Sequence, residues 1–409
     1  MRKIGLLVVS DSAPFRDYGK AGQKTHYYYF KKFIDSGIFD IRLVCSSVEK
    51  ELEKLDYLPE NIQKKCYVEK EYGIYDFIKK VKRFFSFVLF TNDRYAHFLE
   101  GSKRNYILNQ LKTWKRDGYQ PDIVLLEFTQ VILLSEDIKE IFPNAKIVAS
   151  SHDVMYVGSK RVFDFENNII KKYFRKKQYK NLKVQEVRAL SCCDLVVTQN
   201  NNDIKILKEN KVLKEKKFLM VSPYYDNYSD VVRTPQRDRL IFFGAMNRKE
   251  NIESVIWFAK NVFCKVSSLF ELYIIGANPS KEIQELNSGK IHVTGFLSIE
   301  EIKKLMSTCT CMVAPLQLGS GIKVKVLESF SAGIPVVTNE IGIEGIFAQK
   351  SKEYLHCSTS EEYVDTLLKI ANGLDIEIIG ENSKSFVSSK FNKEKSADQY
   401  IEMIKKLVY

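Results

Sequence analysis

Two series of short apolar runs, separated by longer amphipathic segments, extend through the whole chain. In the first half the runs are IGLLVVS (4–10), IRLVCSS (41–47), IVLLEF (123–128), KIVASS (146–151), LVVTQN (195–200) and KFLMVS (217–222). In the second half they are LIFFGA (240–245), LYIIGA (272–277), IHVTGF (291–296), CMVAPL (311–316), IPVVTN (334–339) and YLHCST (354–359). Runs of this kind are typical of strands buried on both faces of a parallel sheet, with helices as the crossovers. The pattern predicts an α/β chain with two doubly wound domains.

The size of the chain agrees with two domains. It has 409 residues, 45% of them hydrophobic, which exceeds what one ordinary domain contains. The join is predicted near SPYYDNYSDVVRTPQRDR (222–239), which is polar and contains two prolines. We therefore expect an N-terminal domain over 1–222, joined by a C-terminal helix over 396–409, and a C-terminal domain over 223–395.

No segment predicts export or membrane spanning. Apolar runs stay far below the roughly 18 residues that a spanning helix needs. The N-terminal apolar stretch, Ile4 to Val9, is short and lacks a cleavage site, so it predicts a first buried strand. The eight cysteines form no C-x-x-C pair and no zinc-site spacing. These features favour a protein of the reducing cytoplasm.

The net charge of +12 is unevenly distributed. Residues 1–200 hold 35 Lys and Arg against 25 Asp and Glu, whereas residues 201–409 hold 28 against 26. A basic half suggests an anionic partner, which can be a phosphate-bearing substrate, an anionic membrane face or a nucleic acid. Nucleic acid is disfavoured because the basic segments carry no aromatic stacking pattern and no recognised nucleic-acid motif.

Two basic segments leave a membrane surface open as a partner. FIKKVKRFFSFVLF (77–90) places its apolar residues on one helical face, which fits an interfacial membrane helix or a surface helix packed on its own domain. KKYFRKKQYKNLKVQEVR (171–188) holds eight basic residues and one acidic residue. It fits a solvated helix face, the border of a phosphate site or a surface that meets anionic lipid.

The stretch APLQLGSGIKVKVLESFSAGIPVV (314–337) predicts strand, glycine turn, helix and strand. Gly319 and Gly321 allow the backbone to approach a ligand closely. The helix is expected to begin near Ile322 and to end at Gly333. Exposed amides at the start of such a helix form an anion site. A tight turn that binds no ligand is the alternative.

Two lysines stand at the start of this predicted helix. Lys323 and Lys325 gain nothing there from the helix dipole, so their position favours a phosphate group beside them. Glu328 lies three residues after Lys325 and shares its side of the helix, where a carboxylate can accept hydrogen bonds from hydroxyls. A pair between Lys325 and Glu328 within the helix is the alternative.

The longer segment PLQLGSGIKVKVLESFSAGIPVVTNEIGIEGI (315–346) resembles the donor-site segment of the family 4 (group 1) retaining glycosyltransferases, which have the GT-B fold. LIFFGAMNRKENIESVIWFAKNVF (240–263), LYIIGANPSKEI (272–283) and IHVTGFLSIEEIKKLMSTCTCMVAPL (291–316) resemble the preceding units of that family's C-terminal domain. The resemblance implies two Rossmann-like domains facing a cleft. It implies a nucleotide-sugar donor on the C-terminal side and an acceptor on the N-terminal side.

The resemblance also implies site residues. The turn over the donor diphosphate matches Gly319, Ser320, Gly321, Ile322 and Lys323, and the donor-binding set is extended by Lys325, Gly244 and Phe296. Glu328 matches the glutamate that contacts the donor ribose, and His152 matches the histidine near the reacting sugar. Gly22 matches a glycine of the N-terminal loop. Taken alone, a histidine after a buried strand is more often a structural hydrogen bonder.

Three positions depart from the family pattern. The first of two family glutamates is replaced by Ser320, and an arginine and a lysine of the family are replaced by Ala245 and Glu250. The missing cations normally neutralise the diphosphate leaving group. We expect Lys323 and Lys325 to take over this task, with Arg248 and Lys249 as nearby alternatives.

The expected function is a retaining glycosyltransferase of the hexosyltransferase type. It would move a sugar from a UDP- or GDP-linked donor to a glycan or lipid-linked acceptor, in bacterial surface polysaccharide or glycoconjugate assembly. No D-x-D pair occurs in the sequence, so we expect no metal and no cofactor. Two alternatives stay open: a non-catalytic GT-B subunit that binds a glycan or a partner transferase, and a GT-B sugar-nucleotide epimerase.

Overall fold

The computed structural model describes residues 2–15, 21–69, 94–95, 98–236, 238–319 and 321–409. Two sequence predictions, the amphipathic helix at 77–90 and the role of Ser320, lie outside the described residues. The chain divides into two compact units. The first unit comprises Met1–Ser222 with Lys393–Tyr409, and the second comprises Pro223–Asn392.

The first unit is built on a seven-stranded parallel sheet. Its strands are β1 (Ile4–Ser10), β2 (Phe39–Val48), β3 (Gln63–Glu69), β4 (Ile123–Glu127), β5 (Lys146–Ser151), β6 (Leu195–Thr198) and β7 (Lys217–Met220). They are ordered β3-β2-β1-β4-β5-β6-β7, and each neighbouring pair is parallel. The strand order reverses between β1 and β4. The carboxyl edge of a sheet at such a reversal is where ligands of this fold class bind.

Helices cover both faces of this sheet. They are α1 (Ala21–Asp35), α2 (Gly101–Arg116), α3 (Thr129–Ile132), α4 (Ser135–Ile141), α5 (Met155–Asp164), α6 (Ile169–Ser191), α7 (Asn201–Lys208) and the C-terminal helix (Lys393–Lys405). Short 3₁₀ segments occur at Glu49–Leu55 and Lys211–Leu213. Successive residues of a strand point to opposite faces, so Leu6 and Val8 belong to one apolar cluster and Leu7 and Val9 to another.

The second unit is built on a six-stranded parallel sheet. Its strands are β8 (Arg239–Phe243), β9 (Glu271–Ile275), β10 (Ile291–Gly295), β11 (Cys311–Ala314), β12 (Val336–Thr338) and β13 (Leu355–His356), ordered β10-β9-β8-β11-β12-β13. Its helices are α8 (Lys249–Phe258), α9 (Lys281–Gln284), α10 (Ile299–Thr308), α11 (Val324–Ser331), α12 (Ser360–Ala371) and α13 (Glu377–Lys390). A π-helical segment, Ala259–Phe263, and one further turn, Cys264–Val266, extend α8.

The predicted fold class is confirmed. All twelve predicted strands form, and both sheets are parallel with helical crossovers. Strand β3 was not predicted, because this edge strand exposes most of its side chains and therefore lacks an apolar run. Within the part of the chain that the structure describes, no helix is long and apolar enough to cross a membrane.

Helix α11 is fixed by a close approach of two glycine backbones. Gly333 follows this helix with φ +71°, a left-handed conformation that suits glycine at a helix end. A Cβ atom on Gly380 of α13 would lie 2.1 Å from the carbonyl oxygen of Gly333. The absence of that atom lets α13 pack directly against the end of the helix that carries Lys325 and Glu328.

We expect Gly380→Ala to lower the free energy of unfolding by about 1–3 kcal/mol, measured by urea denaturation of the full chain. Alanine is the better helix former, but the added Cβ atom would clash with the backbone carbonyl of Gly333, which is held in place by its own chain. Gly101→Ala is the matched control, because nothing lies within 4 Å of a Cβ atom there. Equal stability of the two variants would contradict the packing of α13 on α11.

Candidate functional site

The carboxyl edge of the second sheet is formed largely by backbone. Gly244 follows β8 with φ +155°, Gly276 follows β9 with φ +157°, and Gly295 ends β10 with φ +69°. A Cβ atom on Gly276 would lie 1.7 Å from the carbonyl oxygen of Gly244. Two neighbouring strand ends therefore touch through their main chains, with no side chain between them.

The side chain of Lys325 lies over Gly244. Its Nζ donates a hydrogen bond to Oδ1 of Asn251 and lies 4.7 Å from the centre of the Phe242 ring. A Cβ atom on Gly244 would come within 2.9 Å of both Lys325 Nζ and Asn251 Nδ2. Glycine is therefore needed at position 244, and the structure brings together Gly244 and Lys325, which the sequence placed in the same site.

The charge on Lys325 is unfavourable in this surrounding. Burial lowers the pKa of Lys325 to about 7, and the cations of Arg248 and Lys323 contribute to the lowering. The carboxylates of Glu250 and Glu328 act in the opposite direction on this pKa. Arg248 itself forms an ion pair with Glu250. An anion bound beside Nζ would restore the charged form of Lys325.

The glycine turn is closed by Lys323, which occupies the position just before α11. The Nζ of Lys323 donates to the carbonyl oxygen of Gly321 at 2.5 Å and lies 3.5 Å from Oε2 of Glu344. Gly319 and Gly321 have φ angles of +117° and +70°. Ile322, between the turn and the cap, is partly exposed. The predicted turn residues that the structure describes therefore form one compact loop.

Glu328 is buried on the same helix, one turn beyond Lys325. Its Oε1 accepts a hydrogen bond from the backbone N–H of Asp226 at 3.3 Å. Lys325, the partner that the sequence offered within the helix, donates to Asn251 instead. Phe296, also predicted to bind the donor, follows β10 and is 81% exposed. It lies outside the buried cluster around Lys325.

In the first unit, His152 directly follows β5 and is held at both ring nitrogens. Its Nε2 lies 2.6 Å from Oε1 of Glu127, and its Nδ1 lies 2.6 Å from Nε2 of Gln199. The glutamine amide donates to Nδ1, so the proton of the neutral imidazole is on Nε2 and is donated to Glu127. Three neighbouring strands, β4, β5 and β6, thus contribute one residue each from their carboxyl ends.

The imidazole of His152 stacks on Phe128, with ring centres 4.4 Å apart and an angle of 15° between the rings. Phe128 has φ +79°, which a bulky residue adopts only when its surroundings enforce it. A Cβ atom on Gly22, at the start of α1, would lie 3.3 Å from His152 Nδ1. The predicted residues Gly22 and His152 are therefore neighbours, and the glycine keeps the space beside Nδ1 free of a side chain.

Glu127 is buried and is shared by two histidines. Its Oε1 also lies 3.7 Å from Nδ1 of His26. Burial alone would raise the pKa of Glu127, but its contacts with His26 and His152 outweigh burial and lower it. Burial lowers the pKa of His26 to about 4. Glu127 and Gln199 were not predicted as site residues, although both stand at strand ends, where site residues of such sheets concentrate.

The loop that carries His152 is anchored by Glu186 of α6. The carboxyl group of Glu186 accepts the backbone N–H groups of Met155 at 3.1 Å and Tyr156 at 3.0 Å, the first two residues of α5. Amides in the first turn of a helix have no partner within the helix, so this contact satisfies them. Burial raises the pKa of Glu186 to about 8. The segment after His152 is thereby fixed to the body of the unit.

The candidate site of the second unit offers positively charged groups and hydrogen-bond donors. Lys325, Lys323 and the amides of the glycine turn suit a diphosphate, because fixed amide and ammonium groups stabilise negative charge better than water does. Within the described ranges, no group of three or more His, Cys, Asp or Glu side chains is arranged to hold a metal ion.

Comparisons with known proteins show which family and which solved structures the chain resembles. Residues 237–372 match the family model of the glycosyl transferases group 1. No curated protein sequence matches the chain. Similar solved structures include sucrose-phosphate synthase from Thermosynechococcus elongatus, with a TM-score of 0.69, 13% identity and 99% of both chains covered.

Two further structures resemble the chain over nearly its full length. HepE from Anabaena, in complex with UDP and glucose, has a TM-score of 0.63 and 11% identity, with 98% of this chain and 99% of the other covered. TarM from S. aureus, in complex with UDP, fondaparinux and α-GlcNAc-glycerol, has a TM-score of 0.61 and 11% identity, with 97% and 99% covered. At these identities the likeness shows the fold alone, which is GT-B.

The resemblance to group 1 glycosyltransferases is confirmed by the family match. The matched segment runs from the start of β8 to the end of α12 and includes the glycine turn and both lysines. Residues 237–372, within the second unit, therefore resemble a group 1 glycosyltransferase domain. The narrower assignment to family 4 stays a prediction.

We expect Lys325→Met to raise the free energy of unfolding at pH 7 by about 1–3 kcal/mol, because it removes an amine that is costly to bury in its charged form. The pKa of Lys325 is about 7 in the folded chain and has its ordinary value of 10.5 when unfolded. Between these pH values the unfolded chain binds more protons, so wild-type stability rises with pH. Lys325→Met should flatten that rise, as urea denaturation across this pH range will measure.

The control for this prediction is Lys323→Met. That substitution removes the contact with Glu344, so we expect no gain in stability. A Lys325→Met variant that is less stable than the wild type at pH 6, where the lysine is charged in both states, would contradict the cost of burying this charge.

Proposed function

We propose that this chain, whose residues 237–372 form a group 1 glycosyltransferase domain, is a retaining hexosyltransferase. It moves a sugar from a nucleotide-sugar donor to a glycan or lipid-linked acceptor in the assembly of bacterial surface polysaccharide or glycoconjugates. One observation carries the proposal. Lys325 lies over Gly244 beside the glycine turn, in a place where its positive charge is disfavoured until an anion binds.

A UDP-linked donor is favoured over a GDP-linked one. The HepE and TarM structures, to which the chain is similar, contain UDP. In this chain the donor diphosphate would bind the amides of the glycine turn together with Lys323 and Lys325. Glu328 would accept hydrogen bonds from the ribose hydroxyls, and the exposed ring of Phe296 offers a face on which the base can stack.

Lys323 and Lys325 neutralise the leaving diphosphate in place of the family's arginine and lysine, which are Ala245 and Glu250 in this chain. When the glycosidic bond to the donor breaks, negative charge develops on the leaving diphosphate. Lys325 and Lys323, fixed by Asn251 and Glu344, stabilise that charge without reorganisation. We propose that this arrangement works without a metal ion or a cofactor.

The acceptor is assigned to the first unit. There Glu127 holds the proton of His152 on Nε2, so Nδ1 is left to accept a hydrogen bond from a hydroxyl. Gly22 leaves room beside that nitrogen. A sugar hydroxyl would take the place of Gln199, which now donates to Nδ1 and is partly exposed. His152 would thus position the reacting sugar.

We place the protein in the cytoplasm. All eight cysteines are free thiols, as a reducing compartment favours. Association with the inner face of the membrane is part of the same proposal, because lipid-linked acceptors are held there.

A non-catalytic GT-B subunit is the second candidate. The ion pair of Arg248 with Glu250 supports it, because Glu250 stands where the family has a lysine and leaves Arg248 partly neutralised. Nucleotide binding separates the two functions. A transferase must bind its donor at the glycine turn, whereas a subunit that only contacts a glycan or a partner does not need to.

We expect calorimetric titration without metal to show binding of UDP and UDP-glucose, and weaker or no binding of GDP. Lys325→Met and Glu328→Ala should each weaken binding by about tenfold or more, because both remove charge-assisted contacts to the nucleotide. Affinity for UDP-glucose should fall as pH rises above 7, since Lys325 must then take up a proton. Lys281→Met, at an exposed site on α9, is the control. Absence of binding to every nucleotide would favour the non-catalytic subunit.

We expect His152→Ala to reduce release of UDP from UDP-glucose in acceptor screens by about 10²–10³-fold, in line with the loss of a positioned side chain at a reacting centre. UDP affinity should stay at the wild-type value, because the nucleotide contacts lie in the second unit. His292→Ala, a surface histidine beside Glu271, is the control. Full turnover by the His152→Ala variant would show that this histidine has a purely structural role.

A further inference from the structure

The hairpin formed by α5 and α6 ends in a group of exposed apolar side chains. This hairpin tip comprises Phe165, Ile169, Ile170 and Tyr173, with exposed fractions of 58%, 85%, 70% and 55%. A single exposed apolar residue is ordinary on a protein surface, but four within one short segment form a patch. Such a patch indicates a surface that another body covers.

The tip projects from the body of the first unit. Helix α6 begins at Ile169, yet its first buried residue is Leu182. The intervening part, at about 1.5 Å per residue, spans about 20 Å. Helix α5 runs antiparallel beside it, as two contacts show: Lys172 with the ring of Phe163 at 5.7 Å, and Lys183 with the ring of Tyr156 at 5.4 Å. The hairpin is therefore an arm whose outer half has no buried residue on α6.

The arm is strongly basic. Its outer part and middle carry Lys171, Lys172, Arg175, Lys176, Lys177, Lys180 and Lys183. None of these side chains forms an ion pair with another residue that the structure describes. The nearby acids are engaged, since Asp164 pairs with Lys160 at 2.7 Å and Glu166 accepts the N–H of Asn168 at 3.1 Å. The positive charge of the arm is therefore largely uncompensated.

We infer that the hairpin tip inserts into the interface of an anionic lipid bilayer. Phe165, Ile169 and Ile170 would enter the boundary of the acyl chains, and the lysines behind them would meet lipid phosphates. Charge alone would also attract a nucleic acid, but that partner would leave the apolar tip in water. A second copy of this chain would bring the same positive charge to the contact and be repelled. The inference rests on the membrane association in the proposed function, to which it gives a surface, and it does not depend on the proposed transfer reaction.

The test is flotation of the full chain with vesicles of phosphatidylcholine, alone or with about one-third phosphatidylglycerol, at low and high salt. Wild type should float with the anionic vesicles only, and less so at high salt. Ile169→Ser with Ile170→Ser should lower vesicle affinity by about tenfold or more, because two large apolar groups no longer leave water. Phe165→Ser, directly after the end of α5, is an independent second variant with the same expected direction.

The matched control is Val232→Ser with Ile378→Ser, which removes two apolar side chains that are 77% and 54% exposed in the second unit. It should float as the wild type does, and all variants should keep the wild-type urea midpoint. A wild type that stays unbound to anionic vesicles overturns the inference, as does a tip variant that binds with unchanged affinity. A wild-type dimer that the tip substitutions dissociate in sedimentation would assign the tip to a second copy instead.

Discussion

A parallel sheet buried on both faces leaves polar side chains to the two edges at which its strands begin and end. In this chain every residue of β4 and β6 is buried, and almost every residue of β1. Charged groups therefore meet where the chain enters or leaves the sheet. That constraint gathers Glu127, His152 and Gln199 at one edge in the first unit, and it gathers Gly244 and Lys325 at one edge in the second.

The two edges differ in how fully their charges are balanced. Glu127 has two histidine partners, and the ring of His152 is engaged at both nitrogens, so the first edge is a nearly complete hydrogen-bond network. The second edge holds Lys325 against an aromatic ring and an amide, where burial works against its charge. The second edge is therefore complementary to an anionic ligand. The balanced network of the first edge is better suited to orient a neutral hydroxyl.

The sequence was sufficient for every strand except β3 and for the glycine turn, because each depends on local patterns of apolar residues and glycine. It also suggested that Gly22 and His152 belong to one site, through resemblance to a family, and the structure makes them neighbours. It was not sufficient for the partners of His152. Glu127 and Gln199 meet it only because β4, β5 and β6 are adjacent, and strand order is not readable from local patterns. Asn251 escaped notice because its contact with Lys325 joins two helices distant in sequence.

Helix α6 links two features that otherwise have nothing in common. Near its start stand the exposed isoleucines of the hairpin tip, and near its end stands Glu186, which anchors the loop of His152. About 25 Å of continuous helix separates Ile169 from Glu186. When the hairpin tip is inserted in a bilayer as proposed, this helix has a fixed length and sets the distance between His152 and the lipid surface. The reach that the proposed lipid-linked acceptor needs would then be set by the number of turns in one helix.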